Sequence, residues 1–401
     1  MNKMSSITII DSICGSGKST VIRQRLYKEG PDHRALFVTP YLDEIARTIE
    51  EIPWFKQPEE VDGRKLDGLK LLLTEGECIA TTHALFMRLD DECRTLISSV
   101  GYELIMDEAL SPTEEIIINR KDYDAITDGE FPLIKADPDT GNITWLGGET
   151  YGSSDNDRSQ FSELKEDCDS GTVAIVHSDD RTVHLIWTIK TENFSCFTSA
   201  SILTFMFQAS YLYGFLMREK FTVTFDRQLD DREAEIKAGI RSLITVYSGR
   251  YNLDTFDDRT ALSLSWFRHK KNTAAVSNLA ASLRGFLEYY MKVKKGDYIW
   301  TTFLSAKNSV SNRRYGDGFL SCNMRATNDY RDRTVVVYAA NRFFNPNTRK
   351  LFQNVAVSDD EFALSEIVQF IFRSAIREGK PITAYIPSKR MRDLFVSWLD
   401  T

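Results

Sequence analysis

Residues 12–20 read SICGSGKST, which places glycine, lysine and hydroxyl side chains where a polyphosphate could be held. Gly15 and Gly17 let the backbone turn with several N–H groups facing inward, an anion-binding nest. A helix starting near Lys18 adds the positive end of its dipole at the same spot. Lys18 can reach the β- and γ-phosphates, and the Ser19 hydroxyl can ligate magnesium; Ser16 and Thr20 complete the run. The pattern G-x-x-x-x-G-K-[ST] asks for glycine at position 12, where this chain has the small residue Ser12. A Gly-rich turn with a solvated lysine is the plain alternative. The apolar run 7–10 (ITII) before the loop and VIRQRL after it favour strand, phosphate loop and helix.

A second chemical pair lies about ninety residues on. Asp107-Glu108 ends the apolar run LIMDE. There an aspartate can hold magnesium through its water, and a glutamate can orient and deprotonate an attacking water. That set suits hydrolysis, whereas a kinase needs a substrate hydroxyl in that place. An acidic strand end entering a loop is the plain alternative, and the phosphate loop weighs against it.

The elements that must position these residues alternate as in a parallel α/β sheet. ITII (7–10), ALFVTP (35–40), ECIATTH (77–83) and ELIMDE (103–108) predict strands; VIRQRLYKE (21–29) and LDEIARTIEEI (42–52) predict helices. Residues 111 to about 190 break the rhythm with turn signals between short β-like runs, and predict an inserted, hairpin-rich excursion. SILTFMF (201–207) returns to a buried strand and SYLYGFLM (210–217) to a helix. FTVTFD (221–226) opens the second half. There LITVYS, DYIWTTF, FLSCN, TVVVYA and PITAYIP predict strands, and 229–242, 274–293, 363–377 and 390–399 predict helices. Two parallel-sheet domains of similar size, 1–220 and 221–401, fit this order.

The 401 residues are 42% hydrophobic and 27% charged, an ordinary globular composition. No apolar run is long enough to predict a membrane span. The start MNKMSSITII leads straight into a strand and predicts no cleavable signal. The cysteines at 14, 78, 93, 168, 196 and 322 form no C-x-x-C pair, so neither zinc nor a disulfide framework is expected, and a cytoplasmic setting fits. Net charge is −8, unevenly spread: residues 221–401 hold 28 Lys+Arg against 20 Asp+Glu, leaving −16 for residues 1–220. Any polyanion contact should lean on the second half, although solvated faces account for most such basic clusters taken singly.

Taken together, the phosphate loop with Lys18, then VTPY (38–41), ATTH (80–83) and LIMDEA resemble the first motor domain of a superfamily 2 helicase. TSASILT (198–204) is similar to that family's segment coupling nucleotide state to strand contacts. CNMRATNDY (322–330) resembles its second-domain nucleic-acid motif, and QFIFRSAIR (369–377) its final Gln…Arg…Arg motif. The resemblance implies two RecA-like domains facing an inter-domain cleft, with ATP and Mg2+ as cofactors. Gly15, Ser16, Gly17, Lys18, Ser19, Thr20 and Asp107 would bind ATP, with Ser19 and Asp107 on the metal. Glu108 would be the base, and Gln369, Arg373 and Arg377 would approach the γ-phosphate from the second domain. The family spaces its two arginines three apart after a glycine; here they are four apart without it, and on a helix still share a face. Thr39, Pro40, Tyr41, Thr81, Thr82 and His83, with Arg325, Thr327 and Asn328, would face nucleic acid, DNA being favoured. His83 at a strand end is equally a satisfied structural histidine. Trp300, Tyr315 and Phe319 could supply stacking aromatics. The closing stretch, with Asn341-Arg342-Phe343 and YIPSKRM, is most similar to small helicase-like proteins of bacteriophages, which implies a bacterial host cytoplasm. Some phage proteins of this kind act against host nucleases such as RecBCD, so a counter-defence inhibitor with little unwinding is the rival to a motor.

Overall fold

Continuous apolar runs in the first half become buried parallel strands. In chain order the strands are β1 (Ile7–Asp11), β2 (Ala35–Thr39), β3 (Phe55–Lys56), β4 (Cys78–Thr82) and β5 (Glu103–Asp107); β3 is a two-residue edge strand with Lys56 exposed and lies in no such run. The computed structural model describes residues 6–128, 130–148, 161–311, 315–322, 330–352 and 355–401. After β5 the chain leaves this sheet through β6 (Thr113–Asn119), β7 (Ile134–Ala136), β8 (Ile143–Trp145), β9 (Gly171–Ser178) and β10 (Thr182–Ile189). It returns with β11 (Ser199–Thr204) and β12 (Val223–Phe225). The sheet order is β12-β1-β11-β5-β2-β4-β3. Every residue of β2 and β5 is buried, as a strand covered on both faces requires. Because β2, β4, β5 and β11 pair in parallel, their C-terminal ends share one edge, the edge where open α/β sheets bind ligands.

Helices Lys18–Glu29, Leu42–Glu51, Lys65–Glu75 and Asp91–Val100 connect these strands. The last two escape the sequence reading. Left-handed Gly76 and Gly101 end them, glycine being the residue that takes this conformation without strain. One strand belongs elsewhere than expected. FTVTFD, read as the opening of the second half, supplies β12, which pairs in parallel with β1 (Ile7 opposite Val223) at the edge of the first sheet. Between β5 and β11, β6, β10 and β9 form an antiparallel sheet, and β7 and β8 a small hairpin.

The second sheet joins β13 (Ile244–Val246), β14 (Tyr298–Thr301), β15 (Val335–Tyr338) and β16 (Ile382–Tyr385) in the parallel order β13-β16-β15-β14. Of FLSCN, the described residues 319–322 form no strand; Phe319 makes a single bridge to Trp300. The helix read over 274–293 is α-helical over Thr273–Arg284 and then widens to π-helical turns over Gly285–Tyr290. A Cβ on Gly285 would stand 2.2 Å from the Tyr251 ring, so glycine permits this approach.

The chain divides into two compact units. One holds Met1–Ile10, Ser19–Asp226 and Asn345–Ala356; the other holds Asp11–Lys18, Arg227–Phe344 and Val357–Thr401. The late segment earns its place in the first unit by specific contacts. Asn345 and Asn347 donate their side-chain amides to the Glu115 carboxylate on β6 at 3.0 and 2.7 Å. Phe352, fully buried, lies on Gly214, where a Cβ would come within 2.5 Å of its ring. No described helix is long and apolar enough to cross a membrane.

Candidate phosphate-binding site

The loop after β1 is wound as a phosphate nest would be. Gly15 and Gly17 both take positive φ, +85° and +90°. Lys18 donates to the carbonyls of Ser12 and of Ile13, the latter at 3.0 Å, so the lysine folds back on its own loop. Ser12 and Ser16 are buried, and their hydroxyls have no hydrogen-bond partner among the described residues. Two further side chains reach this loop, and no motif announced them. Arg232 donates to the Ser16 carbonyl at 3.1 Å, and the Glu233 carboxylate accepts the Ile13 N–H at 3.1 Å.

In the first unit, the Ser19 hydroxyl donates to Asp107 at 2.8 Å, across 88 residues of sequence. Asp107 ends β5 opposite Leu203 of β11 and is buried. Glu108 leaves the strand at φ +73°, a left-handed conformation that costs a residue with a Cβ about 1 kcal/mol or more. Its N–H donates to the Leu203 carbonyl at 2.8 Å, which holds the bend. Met206, just past β11, is likewise left-handed at φ +55°. Strained positions at two neighbouring strand ends mark this edge of the sheet as one shaped for a task. The Tyr41 hydroxyl donates to Glu108 Oε2 at 2.6 Å. Tyr41, expected to face nucleic acid, thus contacts the candidate base.

The other residues expected to face nucleic acid are mostly built into the sheet. Thr39 and Thr81 are buried, Pro40 is half-buried, and His83 is buried. The Thr82 hydroxyl accepts the Leu85 N–H and caps the short helix His83–Met87. Thr39 and Thr81 lie within strands covered on both faces, which accounts for their burial. Arg325, Thr327 and Asn328 lie outside the described residues. Trp300, Tyr315 and Phe319 correct another expectation: they pack edge to face, with centroids 5.6 and 4.9 Å apart, in the second unit's core, where Trp300 and Tyr315 are buried. They offer no stacking ladder.

In the second unit, Gln369 donates to the Ser365 hydroxyl at 2.9 Å. The helix Asp359–Ile371 ends two residues before Arg373. Ser374 stops it: its hydroxyl donates back to the Ile371 carbonyl at 2.6 Å, its backbone is extended, and a 3-10 turn, Ala375–Glu378, follows. Arg373 and Arg377 therefore do not share a helical face, contrary to the sequence expectation. They differ in surroundings too. Arg377 is exposed. Arg373 lays its guanidinium 5.5 Å from the Phe370 ring centroid, and its buried Nε and Nη1 have no hydrogen-bond partner among the described residues. Phe370 also packs on Tyr338 at the end of β15. The hydroxyls of Tyr338 and of Thr301 and Thr302 at the end of β14 are likewise buried with no hydrogen-bond partner among the described residues. Such a set of unsatisfied donors at strand ends is costly unless a ligand completes it.

Over 421 aligned positions this chain is 32% identical to the SPbeta prophage-derived protein YonV of Bacillus subtilis strain 168, covering 99% of both chains. The chain belongs to the YonV family. The model of the YonV C-terminal Rossmann-like domain matches residues 238–399, which carry the β13-to-β16 sheet. Among solved structures, the YonV-family fold is similar to that of apo XPD, at 13% identity and a TM-score of 0.51, covering 98% of this chain and 95% of that one. A second XPD helicase structure aligns over 98% of this chain and 94% of its own, at 11% identity and a TM-score of 0.46. This YonV-family chain thus has a helicase-like α/β fold with parallel sheets, and a prophage relative.

Proposed function

We propose that this chain is an ATP-dependent nucleic-acid motor of the superfamily 2 type, with two RecA-like halves, one around each parallel sheet. The observation that carries the reading is the pairing of a glycine-wound lysine loop with the Ser19–Asp107 hydrogen bond. The residues fit magnesium-bound nucleoside triphosphate: Ser12 and Ser16 leave buried hydroxyls unused, and Lys18 is parked on two carbonyls it can exchange for a phosphate. Ser19 and Asp107 would hold the magnesium, whose charge offsets that building on the phosphates. Glu108, with one oxygen fixed by Tyr41, would take the proton of the attacking water. Arg373 supplies the transition-state cation in this reading; its unpartnered nitrogens favour it over Arg377. DNA is the favoured polymer. Its phosphates would be met by the basic second half, with affinity falling as salt rises.

The test is ATP turnover with and without single-stranded DNA, duplex DNA and RNA. Lys18→Ala should abolish binding and turnover. Glu108→Gln should bind ATP and hydrolyse it at least about a hundredfold more slowly. Normal turnover in both variants would move the chemistry away from this loop.

A further inference from the structure

The helix Asp230–Leu243 touches the phosphate loop with two consecutive side chains. Glu233 accepts the Ile13 N–H at 3.1 Å, and Arg232 donates to the Ser16 carbonyl at 3.1 Å. The same Arg232 nitrogen stands 3.0 Å from where a Cβ of Gly17 would be, so the guanidinium lies over the innermost glycine of the loop. All of these residues belong to one compact unit. Arg232 is exposed and, among the described residues, forms no ion pair with a carboxylate. Its bond to Ser16 is to a neutral carbonyl, whereas a phosphate oxygen would add the attraction of a full negative charge and suits the planar fork of the guanidinium. Glu233 has the opposite character: a carboxylate on an amide outside the Gly15–Gly17 turn, it fixes the helix while leaving the nest open. The partnerless, buried hydroxyls of Ser12 and Ser16 independently point to a ligand in this loop.

We propose that Arg232 is a second phosphate-binding cation of the loop, contacting the terminal phosphates of a nucleoside di- or triphosphate, and that Glu233 is the tether that keeps it there. The proposal rests on the nucleotide reading of the loop. A polyphosphate entering the nest draws Arg232 from the Ser16 carbonyl to a phosphate oxygen, and Lys18 from the carbonyls of Ser12 and Ile13. The helix that carries Arg232 runs directly into β13, so occupancy of the loop is reported to the strand at the edge of the second sheet.

The experiment is calorimetric binding of ATP, ADP and AMP, each with magnesium, to the full chain and to Arg232→Ala, Arg232→Lys and Lys18→Ala. Arg232→Ala should weaken ATP and ADP about tenfold and AMP less than about twofold, with Arg232→Lys recovering part of the loss. A general disturbance of the loop would weaken all three ligands alike; that result, or an unchanged Arg232→Ala, would overturn the proposal. A wild-type chain that binds none of them, or a Lys18→Ala variant that binds them normally, would overturn the nucleotide reading itself.

Discussion

At the scale of single residues, the bond between Tyr41 and Glu108 changes what Tyr41 is for. A hydroxyl donating to one carboxylate oxygen at 2.6 Å fixes the plane of the group and leaves the other oxygen for water. Tyr41→Phe should therefore lower kcat for ATP several-fold while leaving nucleotide and nucleic-acid affinity near wild type. Steady-state ATPase with a parallel DNA-binding titration reads both, and a loss confined to DNA binding would return Tyr41 to the nucleic-acid face. The arginines can be separated in the same way. Arg373→Ala should cut turnover by a hundredfold or more with ATP binding nearly intact, and Arg377→Ala should do little. The reverse order would assign the exposed arginine. The winding of the candidate loop was readable from type and spacing, because a nest needs glycines in fixed order, and Gly15 and Gly17 take the positive φ this requires. Arg232 and Glu233 were not readable. Their contacts span more than two hundred residues, and nothing in RQLDDREAE distinguishes them from a solvated helix start.

At the scale of elements, strands buried on both faces announced themselves as continuous apolar runs, and β2, β4 and β5 fall where those runs lie. Helix ends were harder. The hydrophobic spacing of 363–377 continues past Ile371, yet one serine hydroxyl bonding back to a carbonyl ends the helix and turns Arg373 away from Arg377. The stretch FLSCN has strand composition but only one bridging partner, so composition alone misled. The antiparallel insert has its own electrostatics. Burial pushes the Asp167 carboxyl up to about 6; Glu114, Glu166 and Glu163 reinforce the shift against Arg88. An acid whose folded pKa is raised contributes stability below its unfolded value and loses it as pH rises through the folded one. Between about pH 4 and pH 6, Asp167 should therefore cost the fold roughly 2 kcal/mol, the linkage value of about 3 discounted for screening by the water that still reaches the group, and Asp167→Asn does not lose this. Urea unfolding of both proteins at pH 4 and pH 7 measures it: the variant should be the more stable at pH 7 and gain little at pH 4.

At the scale of the whole molecule, composition indicated a globular chain with charge divided between its halves, and the apolar rhythm indicated parallel sheets. Neither could show that Asn345–Ala356 belongs with the first unit, because that depends on contacts far apart in sequence: two asparagine amides on Glu115 and one aromatic ring on one glycine. Phe352→Ala should lower the unfolding free energy by about 3 kcal/mol, as deletion of a buried ring does, and should expose the first unit to protease before the second. The same contact fixes an order of events during synthesis. Chains emerge from the ribosome at roughly 5–20 residues per second and fold as they emerge. Gly214 appears early, but its partner ring follows 138 residues later, after nearly all of 227–344 has been made. For on the order of ten seconds the nascent first unit therefore has Gly214 without the ring that covers it, and this contact can close only after the second unit's longest segment has been made.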